Sequence, residues 1–234
     1  MAVKITRSEF SLIEILVVIG ILVILMSITA PEFARLIRGQ GAEFAARTLS
    51  TKLNLARSYA ISKRQYVAIL MPQCSGKPAA TSFPDSHFHN SYRACIVAKN
   101  GSNYYFQQWI QGETWELLPE GVAIVEVDDD DGVNTTAGYL TPSNGTITTI
   151  SPSPLPATSP NKGVDCSDIG GSSSATDFAA VVFKPNGLTP SGRYIELAEA
   201  KYIGASLTMT NRNSQSYVSI KIDQTTGRIS YGNK

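Results

Sequence analysis

The run from Phe10 to Pro31, FSLIEILVVIGILVILMSITAP, constrains this chain more than any other stretch. From Ile15 to Met26 every residue is apolar or glycine, and Ser27 and Thr29 interrupt its continuation to Ala30 only weakly. A helix rises about 1.5 Å per residue, so about 20 residues cross a hydrocarbon core of roughly 30 Å. The run therefore reads as a membrane span. Its one ionised member is Glu14, near the inner end. A lone carboxylate at mid-span costs on the order of 2.5 to 3.5 kcal/mol on insertion scales, less near the interface, and such groups usually have a partner. Cutting the chain before Phe10 supplies one, a new ammonium a helical turn from Glu14. Lys4 and Arg7 precede the span and hold the N-terminus in the cytoplasm, which places everything after Pro31 outside it.

Phe10, Ser11, Leu12, Ile13 and Glu14, with Pro31 further on, resemble the class III signal of type IV pilins and type II secretion pseudopilins. The resemblance implies that residues 1–9 are a leader removed by prepilin peptidase and that the new Phe10 is N-methylated. It also implies that Glu14 registers subunits in a filament and that Pro31 kinks the helix. In one respect the sequence departs from the family, since Glu9 stands where a glycine is usual before the cut. An ordinary signal peptide is the plainer reading, but Ser27-Ile28-Thr29-Ala30 ahead of Pro31 fits its small-residue cleavage site poorly.

Past Pro31 the apolar residues Phe33, Ile37, Phe44, Leu49, Leu53, Ala56 and Ala60 recur at helical spacing. One helix is expected from about Phe10 to Ser62, kinked at Pro31 and softened at Gly39 and Gly41. Its close, LNLARSYAISKRQYV from Leu53 to Val67, resembles the GspH/FimT branch of the same family at Leu53, Ala56, Arg57, Ser58, Ala60, Ile61 and Val67. Small residues such as Ala56 and Ala60 let a sheet approach closely.

Without leader and span, about 200 residues remain, enough for one core-bearing domain. Alternation begins at Val67, Ile69 and Met71 and continues in Arg93–Ala98, Tyr104–Ile110, Thr114–Leu118 and Val122–Val127, a spacing that predicts an antiparallel meander. Trp109 and Trp115 are read as sheet core. Residues 128–174 are rich in Pro, Ser, Thr and Gly and are expected to form a mobile insertion. Strand patterns return in Phe178–Phe183, Arg193–Leu197, Ile203–Thr210, Tyr217–Ile222 and Arg228–Tyr231, and this last part again resembles GspH/FimT domains. The fold class is α+β: a leader (1–9), a transmembrane stretch (10–30), the amphipathic half of the same helix (31–63), and a β-rich periplasmic head (64–234).

The rest of the sequence restricts chemistry more than it offers it. No nucleophile elbow, phosphate loop or dinucleotide fingerprint appears, and the two histidines, His87 and His89, lie together in a loop, so no enzyme activity and no cofactor are expected. The tract Asp128–Asp131 before Gly132 lacks the other ligands of a calcium loop, and Asp85, His87 and His89 lack a further metal ligand. Cys74 and Cys95 close a loop suited to a disulfide worth about 3 kcal/mol in an oxidising compartment, with Cys166 an equal candidate partner for either.

Some FimT-like minor pilins bind DNA through a C-terminal Gly-Arg-x-Arg. Here the matching residues are Gly227, Arg228, Ile229 and Ser230, leaving Lys221, Arg228 and Lys234 as a thin cluster of DNA-contact candidates. The resemblance thus implies a minor pilin or pseudopilin of the inner membrane, with other subunits as partners and secreted cargo or DNA as further ones. The rivals are a DNA-receptor pilin and a simple membrane-anchored periplasmic binding module.

Overall fold

The computed structural model describes residues 12–72, 84, 86–101, 103–129, 134–136, 139–141, 149–151, 164, 166–170, 178–203, 206–209 and 217–233, and their side chains except at 28–40, 100, 103, 134–136, 139–141, 149–151, 201–203, 206–209 and 233. The leader with Glu9 and Phe10, the Pro31 side chain, Cys74, Asp85, Asp130 to Gly132 and Lys234 lie outside the described residues. The chain forms two units, Met1–Gln40 and Gly41–Lys234.

Helix α1 (Leu12–Lys63) follows the helix expected from about Phe10 to Ser62, whose first two residues lie outside the described ones. Arg64 closes it in the left-handed conformation at φ 52°, and the Gln65 N–H donates back to Ala60 O at 3.2 Å. Thirteen strands follow among the described residues. In the first half they are β1 (Tyr66–Pro72), β2 (Ser91–Asn100), β3 (Asn103–Trp109), β4 (Glu116–Leu117), β5 (Val122–Asp128), β6 (Asn134–Thr136), β7 (Tyr139–Thr141) and β8 (Thr149–Ser151). The remainder are β9 (Phe178–Phe183), β10 (Arg193–Ile203), β11 (Ser206–Met209), β12 (Tyr217–Ile222) and β13 (Ile229–Asn233).

The expected meander survives only as β1–β2–β3. Strand β9 returns from late in the chain to pair antiparallel with β1, and β5 leaves this sheet to pair with β10. One sheet therefore runs β1-β9-β8-β3-β2-β4, with β1 also on β2, and the other runs β13-β12-β10-β11-β7-β6 with β5 on β10. All these pairings are antiparallel except β3 with β8, which is parallel. Among its described residues the segment 128–174 holds short strands and a 3-10 turn at Ser167–Ile169, and Val164 and Cys166 in it are buried.

The principal core lies under α1. Ala42, Ala45, Ala46, Leu49, Leu53, Ala56 and Ala60 form one stripe and pack on Val67, Ile69 and Met71 of β1, Val181 and Phe183 of β9, Ile195 and Leu197 of β10, and Ile220 and Ile222 of β12. Phe44, expected on this stripe, is 63% exposed, because alanines at 42, 45 and 46 take the sheet-facing positions instead. The alternate residues of the first sheet, Ala68, Leu70, Cys95, Val97, Ala180 and Val182, face a second core with Phe88, Trp115, Cys166 and Phe178. Trp109 and Trp115 meet edge to face at 5.4 Å, so the tryptophans do belong to the sheet core. On the other face of the second sheet, Glu126 and Glu196 stand opposite one another and are buried, and Ser219 Oγ donates to Glu196 Oε1 at 2.8 Å.

His89 joins β1 to β5. Its N–H donates to Pro72 O at 2.9 Å, its carbonyl accepts from Ile124 N–H at 2.6 Å, and protonated Nδ1 donates to Ile124 O at 3.0 Å. Burial pushes its pKa from 6.5 down to about 4, against the raising effect of the carbonyl bond. The folded state thus favours the neutral ring, so its stabilising contribution is present above pH 6.5 and is lost as pH falls towards 4. We expect a loss of about 3 kcal/mol over that window. Urea unfolding at a series of pH values should show a flatter profile for His89→Asn than for the native chain.

Candidate functional site

Helix α1 presents two chemically different surfaces. From Leu12 to Met26 its large apolar side chains are 50–82% exposed, and Glu14 is exposed among them. Among the described residues no helix is long and apolar enough to cross a membrane. The described side chains of this run end at Ser27, about 24 Å of helix against a core of roughly 30 Å.

In the second unit the helix is held at both flanks. On one side Lys52 Nζ reaches a carboxylate oxygen of Glu113 and, at 2.5 Å, Oε1 of Glu116. Burial alone would push the Lys52 pKa down, but the two carboxylates overcome it and hold the ammonium above its usual range. Burial, then Glu116, raises the neighbouring Tyr92 phenol. Arg93 extends the polar cluster: its guanidinium lies 4.0 Å over Trp109, donates to Asp168 Oδ2 at 2.5 Å and donates to Glu113 O at 2.7 Å.

On the other flank Arg57 Nε donates to Gly187 O at 3.0 Å and Nη2 to Thr226 O at 2.7 Å, so one guanidinium clasps two turns. Both turns need glycine there. Gly187 and Gly227 have φ of 78° and 63°, and a Cβ on Gly227 would overlap the Gly187 carbonyl oxygen. The second turn is set by Asp223 Oδ1, which accepts from the backbone and hydroxyl groups of Thr225 and Thr226. Those bonds hold the Asp223 carboxyl down at about 2.

Between α1 and the segment from β3 to β4 runs a groove in two adjoining parts of about 390 and 410 Å³. Thr48, Thr51, Leu55 and Tyr59 form its helical wall, Ala94 and Ile110 lie beneath, and Lys52 stands where the parts meet.

Of the residues singled out from sequence, Lys221 and Arg228 are both exposed near the β12–β13 turn, and Lys221 Nζ lies 5.6 Å from the Tyr194 ring centre. Cys95 and Cys166 are buried in the same core. Among the described residues no group of three or more His, Cys, Asp or Glu could hold a metal ion. Local sequence pattern does not mark the link of Lys52 to Glu113 and Glu116. Its only trace is a lysine one position from core residue Leu53, with the two carboxylates some sixty residues away.

Removing the Lys52 ammonium leaves Glu113 and Glu116 facing each other without a counter-charge. Because Glu116 is partly solvated, we expect Lys52→Met to cost about 2 kcal/mol, less than a fully buried pair would. Adding Glu113→Gln and Glu116→Gln should restore part of that loss in urea unfolding followed by tryptophan fluorescence. A triple variant no more stable than the single one would rule out charge imbalance as the cause.

A family model described as type II transport protein GspH matches residues 45–226. Among solved structures, the chain is similar to the type IV minor pilin FimU of Pseudomonas aeruginosa (strain PAO1), at 13% identity and a TM-score of 0.40, with 82% of this chain and 87% of that one covered. A likeness that loose carries no conclusion by itself. No curated protein matches. The family model takes in well over half the chain, including Arg57 and both turns it clasps up to Thr226. This chain belongs to the GspH family of type II transport proteins.

Proposed function

We propose that the chain is a structural subunit near the tip of a type II secretion pseudopilus or a type IV pilus. Residues 10–30 anchor it in the inner membrane and the head lies in the periplasm. The observation that carries this reading is the row of exposed apolar side chains from Leu12 to Met26 on the helix whose Ala42–Ala60 stripe is buried under the head. An exposed apolar surface of that extent calls for lipid or like helices around it. Prepilin peptidase cuts between Glu9 and Phe10, Phe10 is N-methylated, and Glu14 pairs with the ammonium of its own or an adjacent chain. Pro31 bends the helix where it leaves the membrane. In an oxidising periplasm Cys95 has two candidate partners, Cys74 across the loop and Cys166 in the same core.

A DNA-receptor role draws on exposed Lys221 and Arg228, but Ser230 leaves it one cation fewer than a Gly-Arg-x-Arg end would have. A simple anchored binding module differs in its N-terminus, since it would never be cut before Phe10.

Mass spectrometry of the protein extracted from its native membrane should find N-methylated Phe10 at the start. A first residue of Met1 or Pro31 would overturn the filament reading. Glu14→Leu should reduce incorporation into filaments on the order of tenfold, since the lost pairing is worth more than about 1.4 kcal/mol. Unchanged incorporation would remove the charge pair from the mechanism.

A further inference from the structure

Among the described residues strand β13 is an edge of the second sheet and pairs with β12 alone, in register from Ile222↔Ile229 to Val218↔Asn233. The Asp223 N–H donates to Arg228 O at 2.9 Å, which places the odd-numbered residues of β12 among those that bond β13. Antiparallel ladders alternate, so Ser230 and Gly232 turn their backbone groups towards β12. Ile229, Tyr231 and Asn233 then turn theirs to the outside.

Proteins usually blunt such an edge with lysine, proline or a bulge. The five residues of β13, ISYGN, include no lysine or proline, and their register on β12 is unbroken. Gly232 adds a second sign. A Cβ there would meet nothing within 4 Å and its φ is not positive, so neither packing nor conformation calls for glycine. A glycine inside a strand marks a bulge, a tight bend or a place where a ligand or another backbone comes close, and the unbroken register of β13 on β12 shows no bulge.

The edge is also cationic on one face. Lys221 lies opposite Ser230 and is exposed, as is Arg228 just before the strand. On the other face Tyr231, 43% exposed, stands beside Arg47, which is itself paired with Glu43 at 2.6 Å.

We infer that β13 accepts an added β-strand, an extended segment of a partner polypeptide that sets Asp or Glu side chains against Lys221 and Arg228. The outward row alternates N–H donors with C=O acceptors, and only another peptide backbone satisfies both. A phosphate backbone would bond the donors and be repelled by the carbonyls. A second copy of this chain would bring the same two cations against themselves. The site does not depend on how the chain is anchored.

The test uses the full chain and a fluorescein-labelled, capped hexapeptide of alternating glutamate and valine, with fluorescence anisotropy as readout and amide hydrogen exchange at 231 and 233. Tyr231→Pro removes one outward N–H and no bond to β12, and Asn233→Pro does the same as a second edge-blocking variant. Each should weaken peptide binding by about tenfold or more, whereas Tyr231→Ala, which keeps the backbone, should change it less than about threefold. Lys221→Ala with Arg228→Ala should weaken it about fivefold and flatten its salt dependence. Binding that is absent, or indifferent to both prolines, overturns the proposal. So does a 20-nucleotide single strand that binds where the peptide does not. A peptide-free dimer lost in Tyr231→Pro would give the edge to a second copy instead.

Discussion

The close approach of a helix to two sheets at once is the constraint on which the head is built. Ala42, Ala45, Ala46, Ala56 and Ala60 offer almost no side-chain bulk, so β1 and β9 on one side and β10 and β12 on the other converge on the same stripe, with Leu49 and Leu53 filling the middle. Gly41 belongs to this arrangement, since a Cβ there would sit 3.2 Å from Val122 Cγ2. A stripe this thin leaves the rotational setting of the helix weakly determined by packing alone. Polar contacts on its flanks complete the job: Lys52 is drawn to Glu113 and Glu116, and Arg57 is tied to the carbonyls of Gly187 and Thr226. Neither contact needs to be strongly stabilising to fix an orientation.

Local periodicity was the part of this fold most open to reading. Phe178–Phe183 and Tyr217–Ile222 were legible to the residue, because a run buried on both faces and a cleanly alternating one each carry their own signature. The path between strands was not. Nothing in Val122–Asp128 says that it leaves β3 and β4 to join β10, since the pattern is equally apolar in either place and the choice is made by loop lengths and by what the helix covers. The error at Phe44 has the same origin. Helical spacing admits more than one stripe, and the buried one here is marked by alanines, which a hydrophobic count undervalues.

Long-range polar pairs were invisible for a different reason. Lys52 with Glu113 and Glu116, and Arg93 with Asp168, unite residues some sixty to seventy-five positions apart, and charge alone cannot say which carboxylate will lie opposite which cation. Residues 128–174 show the limit of composition. Their bias towards Ser, Pro and Gly suggested little order, yet Val164 and Cys166 complete the second core and Asp168 takes the Arg93 guanidinium. A few apolar residues suffice when a sheet already offers them a face to cover.

The Gly-Arg dipeptide at 227 and 228 shows how such a motif divides between fold and ligand. Gly227 is fixed by a positive φ, by the Gly187 carbonyl that leaves no room for a Cβ, and by its N–H bond to Asp223 O at 2.8 Å. Its identity is therefore accounted for inside the molecule. Arg228 differs: its N–H is taken by Thr226 Oγ1 at 3.2 Å and its carbonyl by Asp223, while the side chain is exposed. The backbone of the turn is spent on holding β13 in register beneath the helix that Arg57 anchors. What is left for any partner, among the described residues, is one guanidinium, one nearby ammonium on Lys221, and the outward-turned backbone row of Ile229, Tyr231 and Asn233. Two cations alone make a weak anion site, but joined to an ordered row of donors and acceptors they select for a polymer that carries both, and for its acidic members.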